Sequence, residues 1–287
     1  MSALDLKALE QAAMHIRRAR ALLLTSGAGM GVDSGMPDFR GDKGFWKAYP
    51  PYQHLGVSFV EMADPRWFRD DPSFAWGFYG HRRNLYRQLP PHAGFDMLKR
   101  WAADKPGGYF VYTSNVDGHY QKAGFEEARI VECHGAINWE QCMASCGAGV
   151  YAAPPGAIEV DETSMRARAL PRCPECGALS RPNVLMFGDW DWIEEREAAQ
   201  SRRFDAWLKQ QEGPIAVIEC GAGTGLPTIR LFSQRMAKLH GALIRINLRE
   251  AEVHEHAQMN ADAEDEIGLA GGALEVLQAL DERASVK

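Results

Sequence analysis

The stretch that decides the fold is residues 21–31, Ala-Leu-Leu-Leu-Thr-Ser-Gly-Ala-Gly-Met-Gly. Its first five residues form a short, mostly apolar run, which is typical of a buried strand in a parallel sheet. Gly27, Gly29 and Gly31 follow the run and predict a tight turn at the end of the strand. Glycines let the backbone approach a pyrophosphate closely, and a following helix directs its N–H groups at the phosphates. The stretch therefore indicates the start of a nucleotide-binding unit, although the full GxGxxG spacing is lacking.

The same combination of a buried strand and a glycine turn recurs towards the C-terminal end of the chain. Residues 214–220 form a mostly apolar run, and Gly221, Gly223 and Gly225 follow it. Further β-rich runs cover residues 109–113, 128–132 and 242–248. Strands that alternate with helices predict an α/β fold, a Rossmann-like parallel sheet with helices on both faces. Because ligands of such sheets bind at the carboxyl ends of the strands, both turns are candidate contacts, with a ligand-free tight turn as the alternative for the second.

Two stretches interrupt the α/β pattern. Residues 42–91 are rich in Trp, Tyr, Phe, Pro and Arg and carry helical spacing around residues 71–87, which indicates a helical insertion. Residues 141–182 contain four cysteines with several prolines and glycines, and they have too little apolar content to fold without a stabilising cross-link such as a bound metal ion. We therefore predict a Rossmann-like domain formed by residues 1–140 and 183–287, which contains the insertion, and a small metal-binding module at residues 141–182.

The cysteine spacing of the small module is typical of a structural zinc site. Cys142 and Cys146 are separated by three residues, Cys173 and Cys176 by two, and 26 residues lie between the pairs. Each pair places two thiolates on one side of a tight turn, and four thiolates complete a tetrahedron around one Zn²⁺ ion. Because no coordination position stays open for water, we expect the ion to be structural. Two unrelated pairs of buried cysteines are the alternative.

Composition limits the partners and the location of the protein. The 287 residues carry a formal net charge of −6, which argues against direct binding of nucleic acid. The longest apolar runs are far shorter than the roughly 20 residues that span a bilayer, so we expect no membrane segment. The first residues lack the basic and apolar regions of a secretory signal, which favours a cytoplasmic location. The sequence indicates no particular oligomeric state.

Six separated motifs stand in the order in which one protein family has them. They are residues 26–29 with 33–40 (Ser-Gly-Ala-Gly and Asp-Ser-Gly-Met-Pro-Asp-Phe-Arg), residues 113–117 (Thr-Ser-Asn-Val-Asp), residues 132–135 (Glu-Cys-His-Gly), the four cysteines, residues 223–225 (Gly-Thr-Gly) and residues 246–247 (Ile-Asn). With these motifs the chain resembles the sirtuin (Sir2-like) family of NAD-dependent protein deacylases and looks like a divergent bacterial-type member. The resemblance implies that the Rossmann-like domain binds NAD and that the cysteines bind zinc.

The resemblance also assigns roles to individual residues. It implies that His134 is the general base and that Asn115 and Asp117 complete the catalytic set. The NAD contacts that it implies are Gly27, Ala28, Gly29, Asp38, Phe39, Arg40, Ser114, Asn115, Asp117, Gly223, Thr224 and Asn247. The implied reaction consumes NAD, takes the acyl group from an acyl-lysine protein or peptide, and releases nicotinamide and O-acyl-ADP-ribose. A histidine suits the role of base because its unperturbed pKa is about 6.5.

The chain departs from the family pattern near the predicted site. Ser114 stands where the family usually has a longer Gln, and the loop after Gly225 is shorter than usual. Two alternatives therefore stay open beside deacylation. One is an ADP-ribosyltransferase or NAD hydrolase built on the same NAD site, and the other is a non-catalytic NAD-sensing module. The presence of His134, Asn115 and Asp117 together favours an enzyme.

The acyl group that is removed is a separate question. Family members that act on acidic acyl chains place a Tyr and an Arg in the acyl pocket, and the helical insertion contains Tyr79, Arg82, Arg83, Tyr86 and Arg87. Helical spacing puts Tyr79 with Arg83, and Arg82 with Tyr86, on shared faces. An acid-binding pocket is one interpretation. A solvated basic face whose aromatic residues pack inward is the alternative that the sequence favours.

Overall fold

The computed structural model describes residues 5–37, 41–253 and 265–284. The strands of this part of the chain are β1 (Ala21–Ser26), β2 (Tyr109–Thr113), β3 (Ile130–Glu132), β4 (Gly135–Cys142), β5 (Val150–Ala152), β6 (Val160–Asp161), β7 (Arg166–Ala167), β8 (Ser180–Val184), β9 (Ile215–Cys220), β10 (Gly241–Asn247) and β11 (Glu266–Ala270). The α-helices are α1 (Leu6–Arg18), α2 (Gly41–Ala48), α3 (Pro50–His54), α4 (Phe59–Met62), α5 (Trp67–Asp70), α6 (Pro72–Gln88), α7 (Gly94–Ala103), α8 (His119–Lys122), α9 (Glu195–Lys209), α10 (Thr228–His240) and α11 (Ala273–Ala284). None of these helices is long and apolar enough to cross a bilayer.

Six strands form one parallel sheet in the order β11-β10-β9-β1-β2-β3. When the six strands of this sheet are renumbered 1 to 6 along the chain, their order is 6-5-4-1-2-3. Read from the opposite edge, this is the strand order 3-2-1-4-5-6 of the doubly wound dinucleotide-binding fold. The chain leaves β1 towards β2 on one side and later returns to β9 on the other, so a topological switch lies between β1 and β9. Strands β1, β2, β3, β9 and β10 match the runs predicted from the sequence, whereas β11 has no counterpart among them.

Helices cover both faces of this sheet, because side chains along each buried strand alternate in direction. On β1, Leu22 and Leu24 join the core formed with α1, α7 and α11, whereas Ala21 and Leu23 join the core formed with α9 and α10. All residues of β1 are buried, as expected for a strand that is covered on both faces. The predicted fold class, a Rossmann-like parallel sheet with helices on both faces, is confirmed.

A third hydrophobic core joins the helical insertion to the cysteine-containing module. Phe78 of α6, Ile137 of β4 and Met165 belong to it. Beside this core, Arg83 Nη1 of α6 donates to Glu140 Oε1 of β4 at 2.7 Å, and both side chains are buried. The module therefore packs against α6 of the insertion. The division at residues 140 and 182 stays a prediction, but β4 runs across the first of these boundaries.

Candidate active site

A cavity of about 700 Å³ opens at the carboxyl ends of β1, β2 and β9. Its volume lies within the roughly 300–1,000 Å³ that is usual for small-molecule sites. The residues that line it come from both glycine loops, from the ends of β2 and β3, from α4 and α6, and from the segment after β8. The cavity therefore lies at the switch between β1 and β9, where open α/β sheets bind their ligands.

The two glycine loops, residues 27–31 after β1 and residues 221–225 after β9, contact each other beneath the cavity. The backbone N–H of Gly29 donates to Gly221 O at 3.0 Å. A Cβ atom on Gly29 would lie 2.7 Å from Gly221 Cα, closer than real Cβ atoms come to other atoms. Position 29 therefore requires glycine also because the two loops meet there. The sequence pattern alone does not indicate this requirement.

The segment after β2 forms one wall of the cavity and contributes Ser114, Asn115 and Asp117. Asn115 Nδ2 donates to Gly27 O at 2.9 Å, which orients the carboxamide and ties this wall to the first glycine loop. Asp117 Oδ1 accepts the backbone N–H of His119 at 2.8 Å. Burial raises the pKa of Asp117 to about 6, although the hydrogen bond from His119 opposes the shift. The wall thus presents an oriented amide and a carboxyl that titrates near neutral pH.

His134 follows β3 and lines the same cavity. Its carbonyl oxygen accepts the N–H of Leu185 at 3.0 Å, which ties this turn to the segment after β8. The next residue, Gly135, has a φ of +74°, and a Cβ there would lie 2.1 Å from Asn183 O, so only glycine fits. Burial lowers the pKa of His134, which keeps the ring mostly neutral near pH 7. A neutral imidazole at this place can accept a proton.

The side of the cavity formed by α6 is aromatic and basic. Tyr79, Arg82 and Tyr86 line it, and all three are buried. Arg82 Nε donates to Tyr86 Oη at 3.0 Å, and the guanidinium carbon lies 5.7 and 5.4 Å from the ring centroids of Tyr79 and Tyr86. The expectation of a solvated basic face is wrong for Arg82 and Arg83, because β4 and the module cover this helix and both arginines are buried.

The carboxyl end of β10 contributes a residue that the sequence did not single out. Glu250 lines the cavity, and its Oε1 accepts the hydroxyl of Thr224 at 2.7 Å while its Oε2 accepts the Thr224 N–H at 3.1 Å. Asn247, the expected NAD contact here, is not among the described residues that line the cavity. Its Nδ2 donates to Ala222 O at 2.8 Å, and its Oδ1 accepts the N–H groups of Arg249 and Glu250. Asn247 therefore supports both loops from behind the cavity wall.

The four cysteines of the module converge, as their spacing predicted. Their sulfur atoms all lie within 4.8 Å of one another, and the sulfurs of Cys142 and Cys176, like those of Cys146 and Cys173, are 3.6 Å apart. A tetrahedral Zn²⁺ ion about 2.3 Å from each sulfur separates the sulfurs by about 3.8 Å, so the arrangement fits zinc. The backbone N–H of Ala144 also donates to Cys142 Sγ, with an N···S distance of 3.3 Å.

Most of the predicted site residues therefore meet at one cavity. Those that line it are Gly27, Ala28, Gly29, Ser114, Asn115, Asp117, His134, Gly223 and Thr224. Asp38, Phe39 and Arg40, which the resemblance also assigns to NAD, lie outside the described residues. Because the residues that line it follow four different strands, only the folded sheet brings them together.

Comparison with known proteins defines the class to which this site belongs. The model of the Sir2 family matches residues 27–203, which is more than half of the chain. The chain belongs to the Sir2 family. Its zinc-type cysteine cluster lies in residues 142–176, within the matched region.

Individual relatives extend the similarity over most of the chain. An NAD-dependent protein deacylase of Aquifex aeolicus is 28% identical over 249 residues, which cover 86% of this chain and 92% of that protein. An NAD-dependent protein deacylase of Methylococcus capsulatus is 31% identical over 250 residues, covering 85% and 88% of the two chains. A solved structure of a Sir2 homologue in complex with NAD has a TM-score of 0.65 at 24% identity and covers 99% of this chain and 94% of that one. This last likeness establishes the fold.

Proposed function

We propose that this protein is an NAD-dependent protein-lysine deacylase that consumes NAD and releases nicotinamide and O-acyl-ADP-ribose. The observation that carries the proposal is the convergence of His134, Asn115 and Asp117 with both glycine loops on a single cavity. The family match and the activity named for the relatives support the same reaction. An enzyme that had become a passive NAD sensor would have no reason to keep this combination of groups.

The cavity fits the chemistry of NAD. Apart from its two chain neighbours, no described residue has an atom within 4 Å of a Cβ built on Gly225, so this position of the second glycine loop borders open space. Helix α10 begins at Thr228, with two residues between it and this loop, and its N-cap residue Pro227 makes no side-chain cap hydrogen bond, so the first N–H groups of the helix favour a phosphate. We assign the pyrophosphate to the glycine loops and the nicotinamide riboside to Ser114, Asn115 and Asp117. When bound, NAD supplies an electrophilic ribose carbon with nicotinamide as the leaving group.

The chain's own groups then orient the reactants and move one proton. His134, kept mostly neutral by burial, accepts the proton of a ribose hydroxyl and later returns it. Asn115, oriented by its hydrogen bond to Gly27 O, presents a donor and an acceptor to hydroxyls or to a carboxamide. Asp117 accepts hydrogen bonds from such groups when ionised. A zinc ion bound by the four cysteine thiolates would have no ligand position open for water, so we assign it no part in this chemistry.

The acyl-lysine would enter through the apolar rim of the cavity. Val60, Leu185 and Leu226 line the cavity and are 52%, 37% and 55% exposed, respectively. Apolar side chains that stay exposed around an opening mark a place where a partner buries them. The four methylenes of a lysine side chain supply such apolar surface while its modified end reaches inward. The formal net charge of −6 argues against binding of nucleic acid, and we propose that the protein does not bind it. The cytoplasmic location likewise stays a prediction.

We further propose that the preferred acyl chains end in a carboxylate. Arg82 presents a buried guanidinium to the cavity, and Tyr79 and Tyr86 flank it. Hydrogen bonds between a guanidinium and a carboxylate are charge-assisted and gain strength where water is excluded. An acetyl group offers no charge to Arg82, whereas a succinyl group does. A succinyl-lysine peptide is therefore expected to be a better substrate than its acetyl counterpart.

The test follows both products of one reaction. Purified protein is incubated with NAD and acetyl-, succinyl- or long-chain-acyl-lysine peptides, and nicotinamide and deacylated peptide are quantified together. We expect equal amounts of the two products, lost in His134→Ala and kept in His54→Ala, which removes an exposed histidine outside the cavity. Nicotinamide without deacylated peptide would replace the proposal by ADP-ribosyl transfer or NAD hydrolysis. NAD binding without any turnover would favour the sensing module.

A further inference from the structure

The side chain of Lys122 closes the C-terminal end of α6, the helix that forms the aromatic and basic side of the cavity. Its Nζ donates to Tyr86 O at 2.9 Å, to Arg87 O at 2.7 Å and to Leu89 O at 2.8 Å. Carbonyl groups at the end of a helix lack partners within the helix and carry the negative end of its dipole. An ammonium group has three N–H donors, so these bonds use all the donors of Lys122.

Lys122 itself belongs to the element that follows the opposite wall of the cavity, the wall that contains Asn115 and Asp117. It is the last residue of α8, and this helix begins two residues after Asp117. Asp117 Oδ1 accepts the N–H of His119, the first residue of α8, at 2.8 Å. The short helix is therefore bonded to the cavity wall at its beginning and to α6 at its end. Through it, the wall that we assign to the nicotinamide riboside is joined to the helix that we assign to the acyl chain.

One of the three carbonyls belongs to the residue that orients Arg82. The phenolic oxygen of Tyr86 accepts the Nε–H of Arg82 at 3.0 Å. Lys122 thus holds the main chain of Tyr86, and the side chain of Tyr86 holds the guanidinium of Arg82. Without the ammonium group, the last carbonyls of α6 would depend on water, and the end of the helix would fray more readily. A shift of Tyr86 would turn the guanidinium, and its hydrogen bonds to a carboxylate depend on direction.

The charges in this region support the same connection. Burial raises the pKa of Asp117, whereas the positive charges of Arg82 and Lys122 both lower it, so the carboxyl lies within electrostatic reach of both cations. Arg82 and Asp117 line the cavity, but Lys122 is not among the described residues that do so. Lys122 therefore acts through the groups that it holds and not by contact with the reactants.

We propose that Lys122 is a positioning residue, which keeps the pair Arg82 and Tyr86 in place relative to the cavity wall that contains Asp117. This inference rests on the proposed deacylase function and on the proposed preference for acidic acyl chains. It adds to them a residue outside the cavity that maintains the preference. The preference thus depends on the contact between α8 and α6 as well as on the residues that meet the acyl chain.

Substitution of Lys122 tests this role through the choice between two substrates. Lys122→Met removes the three donors and keeps most of the side-chain volume. The ratio of kcat/KM for a succinyl-lysine peptide to that for its acetyl counterpart is expected to fall about three- to tenfold. Lys122→Arg keeps the positive charge and several N–H donors, so it should keep most of the ratio.

Lys105→Met is the matched control. Lys105 Nζ likewise donates to carbonyls in the last turn of a helix, those of Ile16 and Arg17 in α1, but Lys105 is outside the set of described residues that line the cavity. The control variant loses a comparable helix-end contact and should keep the wild-type ratio. Stability lost without a change in position lowers the activity towards both peptides together, so it leaves the ratio unchanged.

The outcomes separate this inference from the proposed function. A wild-type ratio in Lys122→Met, or an equal fall in Lys105→Met, would overturn the positioning role and leave the deacylase standing. A wild-type protein that deacylates both peptides equally well would overturn this role together with the acidic preference, but not the reaction. A wild-type protein without deacylase activity would overturn the proposed function as well. Should Lys122→Met fail to fold, Lys122→Gln, which lacks the charge, is measured in its place with the same expectation.

Discussion

Arg82 and Tyr86 are joined by their side chains, because the guanidinium Nε of Arg82 donates to the phenolic oxygen of Tyr86 at 3.0 Å. The two residues lie one helical turn apart on α6, and both are buried in the wall of the cavity. The hydrogen bond holds the planar guanidinium in one orientation before any substrate binds. A planar cation held in this way matches the geometry of a carboxylate.

Arg82→Met is expected to remove the preference for acidic acyl chains. Hydrogen bonds to charged groups contribute about 1.5–3 kcal/mol, so kcat/KM for a succinyl-lysine peptide should fall about 10- to 100-fold. The value for an acetyl-lysine peptide should change much less. Steady-state kinetics with both peptides checks this, with Arg87→Met as control, since Arg87 lies on the same helix but bonds to Asn138 and does not line the cavity. An equal loss for both peptides would contradict carboxylate binding.

The acidic limb of the pH–rate profile is expected to reflect His134. A base must be deprotonated to act, and burial lowers the pKa of His134 below its usual 6.5, so kcat/KM should rise with pH through a midpoint below 6.5. His134→Ala should lower kcat about 10²- to 10⁴-fold. Asp117 has a pKa of about 6, so it could also produce the acidic limb. The pH–rate profile of the residual activity of Asp117→Asn shows which of the two groups the limb belongs to. If the limb disappears in that variant, it belongs to Asp117 and the assignment to His134 is wrong.

Asp117→Asn is expected to stabilise the fold while it impairs the enzyme. The folded-state pKa of Asp117, about 6, lies above its ordinary value of 3.8, so the ionised carboxylate destabilises the folded state above pH 6. The destabilisation is relieved as the pH falls from 6 towards 4. The variant should therefore gain up to about 2 to 3 kcal/mol in the free energy of unfolding at pH 8, and the gain should vanish below about pH 4.

Urea unfolding of both proteins at pH 8, 6 and 4 measures this difference. Asp104→Asn is the control, since it removes an exposed carboxylate outside the cavity. It should show no comparable gain. An Asp117→Asn variant that is less stable than the wild type at pH 8 would mean that the carboxylate makes a favourable interaction in the folded state that outweighs its burial.

Removal of the metal is expected to unfold the module and, with it, the shared core around α6. The wild type should contain one zinc ion per chain, and Cys173→Ser should lose it and unfold about 5 to 10 °C lower. Cys220→Ala is the matched control, because Cys220 is a buried cysteine of β9 outside the cluster and its variant should keep the zinc. Metal analysis measures the zinc content of each protein, and thermal unfolding measures its unfolding temperature. Zinc retained in Cys173→Ser would rule out the four-thiolate site.

The strands next to the glycine loops and the cysteine pairs could be predicted from the sequence because local patterns determine them. Residues 21–31 combine a β-rich run with a turn that requires glycine, and both properties are visible along the chain. The antiparallel strands β4 and β8 were not predicted. Their pairing shifts register between Ala136 and Glu140, and β4 is buried at residues on both of its faces, so its sequence lacks a simple alternation.

The orientation of α6 and the position of Glu250 in the cavity wall could not be predicted because they depend on distant parts of the chain. Helical spacing places Arg82 and Tyr86 on one face, but only the packing of the module against α6 makes that face an interior one. Glu250 stands in the run Arg-Glu-Ala-Glu beside Glu252, and nothing in the local pattern separates the two acids. Only the contacts of Arg230 and Thr224 direct the first of them to the cavity.

The contact between Gly29 and Gly221 has a consequence for the biosynthesis of the protein. A ribosome-bound chain that ends before β9 already carries His134 and the first glycine loop, but the surface against which that loop packs has not yet been made. Such a nascent chain, like a fragment released by early termination, lacks half of the dinucleotide site. Consumption of NAD therefore begins only when the last quarter of the chain has been translated and has joined the sheet through contacts that are distant in sequence.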